Sequence, residues 1–390
     1  MLNEAAAIPA ERPLAGLTAI EIGHSVAAPF GGHVLASLGA TLIKVENPGK
    51  GDDARGWGPP FWNGASSCFQ SLNRDKQSVT VDLKDPAQRG ALEALIINRG
   101  DIVFQNLRPG LIETFGLDGA TLRARKPRLI YANMGAFGAV GPMRKKPGYD
   151  PLMQAFGGIM SITGEDGAAP VRVGPSLVDI GTGMWMVIGI LSALRRLQLT
   201  GEGCEIDTSL LETAMAWMTI PSALYLSSGE PQGRSGTEAA MVVPYKAYKA
   251  ADHYMIIAAG NDNLFRKLCA ALGKPDWAED ARFRTNADRI INRVVLNALI
   301  EAVVGQNQRA FWIAHFDAMG VPCSPIQSID QVLAHPQAQA LGILQQAQDS
   351  DMQLMGLPVS FDHRRPPFLH APPSLGQHTE MIFPDRGGKE

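Results

Sequence analysis

Carboxylates and glycine-rich turns crowd the stretch from residue 148 to residue 183: Gly148-Tyr149-Asp150, Gly157-Gly158, Thr163-Gly164 and Val178-Asp179-Ile180-Gly181-Thr182-Gly183. Asp179 stands just ahead of an apolar segment, where the free N–H groups and the dipole of a helix start favour a charged side chain and lower its pKa. A carboxylate held ionised in this way is a helix cap or a nucleophile. Two neighbouring features favour the nucleophile. Gly181 and Gly183 leave main-chain N–H groups open to a substrate oxygen, and the apolar surroundings exclude water from a reactive acyl intermediate.

Other chemistries find less support. The turn Gly23-His24-Ser25-Val26-Ala27-Ala28 lacks the dinucleotide fingerprint GxGxxG, although Glu46 ends the second strand where a ribose-binding acid belongs. There is no GxxxxGK[ST] and no HExxH, and Gly174-Pro175-Ser176-Leu177-Val178 ends in Val where GxSxG needs Gly. No two of the 8 histidines are four residues apart, and Cys68, Cys204, Cys269 and Cys323 form no CxxC or zinc spacing. Neither a bound metal nor a disulfide framework is expected, and a reducing cytoplasm fits.

The elements that must position Asp179 follow from periodicity. Leu17–Ile22 and Ala40–Val45 read as strands flanking a helix from Phe30 to Leu38, with Gly39 as its C-cap. Further strands are expected at Ser78–Leu83, Ile102–Phe104 and Leu129–Asn133, and helices at Pro86–Asn98 and Pro109–Phe115. This alternation predicts an α/β protein with a doubly wound, mainly parallel sheet. Asp179–Leu199 reads as one long helix, capped at its start by Asp179 and ended by Thr200-Gly201. Gly-rich Ser227–Gly236 reads as a linker or mobile loop. After it come a hairpin over 245–259 and helices near 262–272, 294–304 and 307–319, a smaller α+β unit. From Val321-Pro322 the chain turns Pro-rich, as if wrapping another surface.

Composition limits the partners. In 390 residues, 35 Lys+Arg oppose 38 Asp+Glu for a net charge of −3, so no broad basic surface is expected for nucleic acid or anionic lipid. Glu4 and Glu11 interrupt an N-terminus without an apolar core, against a secretory signal. The apolar run Met184–Leu194 is too short to span a bilayer, so no membrane segment is expected.

Over nearly the whole chain the sequence resembles the class III CoA-transferases, which include formyl-CoA, carnitine and benzylsuccinate CoA-transferases and, as relatives, the α-methylacyl-CoA racemases. The resemblance rests on Leu14-Ala15-Gly16-Leu17, Leu38-Gly39-Ala40-Thr41-Leu42-Ile43-Lys44-Val45-Glu46, Gly51-Asp52 with Arg55-Gly56-Trp57, and Asn73-Arg74-Asp75-Lys76-Gln77-Ser78. Asp82-Leu83-Lys84, Asn106-Leu107-Arg108-Pro109-Gly110, Gly148-Tyr149-Asp150, Asp179-Ile180-Gly181-Thr182-Gly183, Gly320-Val321-Pro322-Cys323 and Leu375-Gly376-Gln377-His378-Thr379 continue it.

The resemblance implies an acyl-CoA:carboxylate CoA-transferase in which Asp179 attacks the thioester, passing through a mixed anhydride and an aspartyl-CoA thioester. CoA is then a substrate, and no cofactor is bound permanently. Lys84, Asn106 and Leu107 match CoA-binding places, with Ser25 nearby; Arg55, Arg74 and Arg108 are further cations for the CoA phosphates. His24, Val26, Tyr149 and Asp150 fall at the acyl site. The implied fold is a large Rossmann-like domain over 1–205 completed by 325–390, a small domain over 225–320, and linkers at 206–224 and 321–345. Two ring-like chains interlock as a homodimer.

Departures from the family bear on the substrate. Formyl-CoA transferases resemble this chain in the first loop but carry Gln where Val26 stands, lack a counterpart to Thr114 in having Arg there, and cover the site with a glycine tetrad missing here. The loop 229–236 is a candidate for a different lid. Racemases carry His at the position of Tyr149, whose phenol is a poor base at neutral pH, so racemisation of a 2-methylacyl-CoA is the weaker alternative, beside a non-catalytic CoA binder.

Overall fold

The computed structural model describes residues 9–384; residues 1–8, which carry Glu4 of the N-terminal reading, and 385–390 lie outside the described residues. Two compact units emerge. The larger takes the chain up to Ile159, then Arg172–Ile220, then Pro336 onward; the smaller takes Met160–Val171 and Pro221–His335.

The larger unit is built on six parallel strands, β1 (Thr18–Ile22), β2 (Thr41–Glu46), β3 (Lys76–Thr80), β4 (Ile102–Gln105), β5 (Ile130–Gly135) and β6 (Glu205–Ser209). Their order is β3-β2-β1-β4-β5-β6, the dinucleotide-fold order with its reversal at the β1/β4 junction. Short β-branched runs make these strands, and both faces are covered, as a parallel sheet requires. Ile20, Ile43, Val103 and Tyr131 pack on one face, while Ala19, Leu42, Phe104 and Ala132 pack on the other.

Helices α1 (Ala27–Ser37) and α4 (Leu177–Thr200) share the second of these cores, and α2 (Pro86–Arg99) covers the first through Leu92, Leu95 and Ile96. Between α2 and α4 lies the short α3 (Asp150–Phe156), and α5 (Leu210–Trp217) follows β6. The expected linker at 206–224 is therefore corrected: it supplies most of the sixth strand and then α5. The expected helix at Pro109–Phe115 shrinks to Leu111–Thr114, because Gly110 sits at φ +90.

At 24 residues α4 is long and apolar enough to cross a membrane by length and composition, longer than the run Met184–Leu194 suggested. One side of it is committed to the core. A Cβ on Gly183 would lie 2.6 Å from the Ala27 carbonyl oxygen and 3.0 Å from the Gly31 nitrogen, so α1 and α4 cross backbone to backbone.

The smaller unit holds a three-stranded antiparallel sheet, β7 (Tyr245–Lys249), β8 (Tyr254–Ala258) and β9 (Cys323–Pro325), in the order β9-β8-β7. Helices α6 (Asp262–Ala271), α7 (Arg293–Val304) and α8 (Arg309–Met319) pack around Tyr248, Met255, Phe265, Leu296 and Phe316. The expected linker at 321–345 thus contains β9. The loop expected to be mobile is tied down within this unit: Arg234 Nη2 donates to the Ala168 carbonyl at 2.6 Å and Gly236 N to Gly164 at 2.8 Å.

Candidate active site

Parallel strands expose their main-chain ends at the carboxyl edge of the sheet, and ligands bind there where the strand order reverses. In the larger unit two of the cavities at that edge include the β1–α1 loop in their lining. One, of about 360 Å³, is lined by Ile22, Val45, Lys50, Lys84, Leu107 and Phe115. The other, of about 260 Å³, is lined by His24, Asn106, Arg108, Lys146, Tyr149 and Asp179, among others. His24 and Leu107 line both.

Asp179 lies in the first turn of α4, which begins at Leu177 behind Ser176. The expectation that Asp179 caps its helix is corrected. Ser176 makes no capping bond; Asp150, on α3, does the work instead, its Oδ1 accepting from the N–H groups of Val178 at 2.8 Å and Asp179 at 3.1 Å. Gln154 Nε2 donates to Asp150 Oδ2 at 2.6 Å, and Gln154 Oε1 accepts from Val173 N at 2.8 Å, locking the chain that enters α4.

The expected direction of the Asp179 titration is corrected as well. Burial, and then the nearby charge of Asp150, push its carboxyl up to about 7 rather than down. Its side chain has no hydrogen-bond or ion-pair partner among the described residues, which leaves both oxygens for a substrate.

Gly181 and Gly183 serve differently from expectation. Both are buried inside α4, where main-chain N–H groups bond within the helix. A Cβ on Gly181 would sit 2.8 Å from Trp217 Nε1 and 2.9 Å from Thr213 Cγ2. These glycines let α4 approach α5 and α1 closely, and offer no oxyanion donors.

The loop after β1 brings His24 and Ser25 to the cavity that holds Asp179, and Val26, expected there, is not in its lining. Asn106 embraces His24, accepting from its N–H at 3.0 Å and donating to its carbonyl at 2.8 Å, so the Asn106 amide is spent on the loop. Ser25 adopts φ +72 and its Oγ lies 2.9 Å from His24 Nδ1. Burial lowers the His24 pKa, so the imidazole is neutral at pH 7. Val26 is buried at the start of α1 and faces the core, while Tyr149 is exposed at the cavity wall.

The four expected cations divide in two. Lys84 and Arg108 line the cavities, exposed and without an ion-pair partner among the described residues. Arg55 and Arg74 are corrected to structural roles. Arg55 grips Glu46 with two bonds of 2.8 and 2.7 Å and stacks 3.8 Å over Phe69, which also removes Glu46 as a ribose ligand. Arg74 is fully buried, 4.0 Å over the Phe368 ring, with Asp75 at 3.1 Å.

Sequence reasoning missed Lys146 at the cavity mouth, which no motif marked. It also missed a buried ionic cluster beneath the loop. Glu21 and Lys44 stand opposite each other in register on β1 and β2, and Lys76 joins them from β3. Opposite charges at matched positions of apolar strands were the available signal.

A family model for CoA-transferase family III matches residues 14–379. The chain belongs to this family. It is 35% identical to the succinate–glutarate CoA-transferase of Agrobacterium fabrum, over 95% of each chain. It is also 35% identical to the acetyl-CoA:oxalate CoA-transferase of Acetobacter aceti, covering 91% of this chain and 92% of that one. A crystal structure of a CaiB/BaiF family protein from Brucella suis superposes with a TM-score of 0.85 at 36% identity, covering 96% of this chain and 99% of that one. The protein is therefore an enzyme of the transferase class, and CoA thioesters are the substrates of its family.

Proposed function

We propose that this family III transferase moves CoA from a dicarboxylic acyl-CoA to a second dicarboxylate, with Asp179 as nucleophile. The observation that carries the reading is the Asp179 carboxylate, unpaired among the described residues, in a cavity whose lining includes two cations, Arg108 and Lys146, that likewise have no ion-pair partner among them. The Asp179 carboxylate attacks the thioester carbonyl, expelling CoA thiolate and leaving a mixed anhydride. The thiolate then attacks the aspartyl carbonyl, releasing the donor acid and giving an aspartyl-CoA thioester. The acceptor carboxylate attacks that thioester, and the thiolate returns to the acceptor's carbonyl, freeing Asp179. All bonds balance without a redox partner or a permanent cofactor.

Arg108 and Lys146 suit the distal carboxylate of such acids, and the named relatives act on succinate, glutarate and oxalate. Lys84, at the larger cavity, suits the CoA phosphates, and neutral His24, which lines both cavities, suits a hydrogen bond to the acyl oxygen. A cytoplasmic location belongs to the same reading.

The homodimer is part of the proposal too. The outer face of α4 exposes Met184, Trp185, Ile188 and Leu191, beside Met215 and Trp217 of α5, an apolar surface that a second copy would cover in the interlocked arrangement the family resemblance implies. The test of function is CoA exchange between a dicarboxylic acyl-CoA and a free dicarboxylate. Wild-type protein should exchange and Asp179→Ala should not; equal rates would remove Asp179 from the mechanism.

A further inference from the structure

Four of the most buried charges in the larger unit sit together under the loop that carries His24. Glu21 and Lys44 are fully buried, Lys76 is 2% exposed and Asp52 3%. Lys76 donates three hydrogen bonds, and Lys44 donates two and adds an ion pair. Lys44 Nζ reaches Glu21 Oε1 at 2.6 Å, Asp52 Oδ2 at 2.8 Å and the Gly23 carbonyl at 2.9 Å. Lys76 Nζ reaches Glu21 Oε2 at 2.7 Å, the Pro29 carbonyl at 2.8 Å and Asn73 Oδ1 at 2.9 Å.

Three main-chain contacts of this cluster fall on one short segment. Lys44 holds the entry of the β1–α1 loop at Gly23, and Lys76 holds the first turn of α1 at Pro29. Between them, Asp52 Oδ1 accepts the Ser25 N–H at 2.9 Å while also accepting the Ala54 N–H at 2.9 Å. Ser25 is the residue at φ +72, a conformation that a non-glycine residue rarely adopts and that needs its surroundings to enforce it. Its hydroxyl contacts His24 Nδ1 at 2.9 Å, so the Ser25 backbone sets the imidazole.

Buried ion pairs are poor sources of stability, because desolvation offsets most of their attraction. A cluster this dry, aimed at one loop beside the nucleophile, needs another reason.

We propose that Asp52 is a positioning residue: through its Oδ1 bond to the Ser25 amide it fixes His24 against the Asp179 cavity, and the Glu21–Lys44–Lys76 cluster fixes Asp52 in turn. This rests on the transferase reading above and deepens it, by making the first loop a preorganised part of the acyl site.

Two substitutions separate positioning from bulk stability. Asp52→Ala loses both the amide acceptor and the charge. Asp52→Asn keeps an oxygen for Ser25 and Ala54 and loses only the charge toward Lys44, which retains Glu21 and the Gly23 carbonyl. Asp52→Ala, which also leaves the Ser25 and Ala54 amides without their acceptor, should lose more thermal stability than Asp52→Asn, so activity is compared at a temperature where both are folded. A positioning role predicts that Asp52→Ala lowers kcat about 100-fold with KM for the CoA thioester changed less than about threefold, and that Asp52→Asn recovers to within about tenfold of wild type. The Ser25 amide should exchange with solvent faster in Asp52→Ala and stay protected in Asp52→Asn.

The inference is overturned if Asp52→Ala leaves kcat and Ser25 protection unchanged, or if Asp52→Asn is as impaired as Asp52→Ala. Wild-type protein that exchanges no CoA between dicarboxylates would instead overturn the functional reading, while the amide measurement still decides what Asp52 does.

Discussion

Asp150 Oδ1 accepts the main-chain N–H of Asp179 at 3.1 Å, so one carboxylate caps the helix whose first turn carries the other. The arrangement does two things at once. It supplies the acceptor that Ser176 does not, and it sets a negative charge beside a buried acid whose pKa already stands high. A carboxylate poised near neutrality is more basic, and so a better nucleophile once ionised, than one held far below it.

The pH–rate profile should report this pairing. The nucleophile must be ionised, so kcat/KM is expected to rise with pH through about 7 in the wild type. Asp150→Asn keeps an acceptor for the helix amides and removes the charge, so the rising limb should move to lower pH. Burial, the larger cause, should keep it above the ordinary carboxylate value of 3.8. An unmoved limb would separate the two groups. Asp150→Ala, which also removes the cap, should cost about 1–2 kcal/mol of stability.

Linkage gives a second test, on folding alone. In the unfolded chain Asp179 loses its proton near 3.8, whereas the folded chain holds it to about 7. Between these values the unfolded state binds fewer protons, so this group's contribution makes stability fall as pH rises, and above about 7 the penalty is constant. Asp179→Asn removes the penalty. Urea unfolding should show the variant gaining on wild type from pH 4 to 7, to a plateau on the order of 4 kcal/mol. A difference that does not change with pH would contradict the raised pKa.

Two cations that look equivalent in sequence should respond oppositely. Lys84→Ala is expected to raise KM for the CoA thioester several-fold, with kcat and thermal stability near wild type, because Lys84 is exposed at the cavity. Arg74→Ala removes a fully buried guanidinium stacked on Phe368 and takes the counter-charge from Asp75, which keeps only the Leu369 and His370 N–H groups, so it should cost about 3 kcal/mol of stability. A KM effect for Arg74→Ala without loss of stability would place it back in the CoA site.

Much of the fold was legible because strands β1, β2 and β4 and helices α2, α6, α7 and α8 carry their own periodicity and turn residues. β6 was not: Glu205-Ile206-Asp207-Thr208-Ser209 is short and polar, and it becomes a strand only because β5 offers it an edge. Asp179 stood out through its place before an apolar helix. Its partner's role was hidden, since nothing local says that Asp150, 29 residues earlier, would reach the start of α4. Glycines 181 and 183 misled for a related reason. Their spacing signals close approach of main chains, and only the packing of α1 and α5 shows that the approaching groups belong to the protein itself.

The central claim is that the Asp179 carboxylate bonds to substrate carbon during turnover. When an acceptor acid labelled with heavy oxygen in its carboxylate attacks the aspartyl thioester, its oxygen bridges the anhydride and stays on the aspartate as CoA leaves with the new acyl group. Mass spectrometry of the peptide containing Asp179, after turnover with labelled acceptor, should find that oxygen on this residue in the wild type. An enzyme that transfers CoA at full rate while this peptide stays unlabelled would contradict the account.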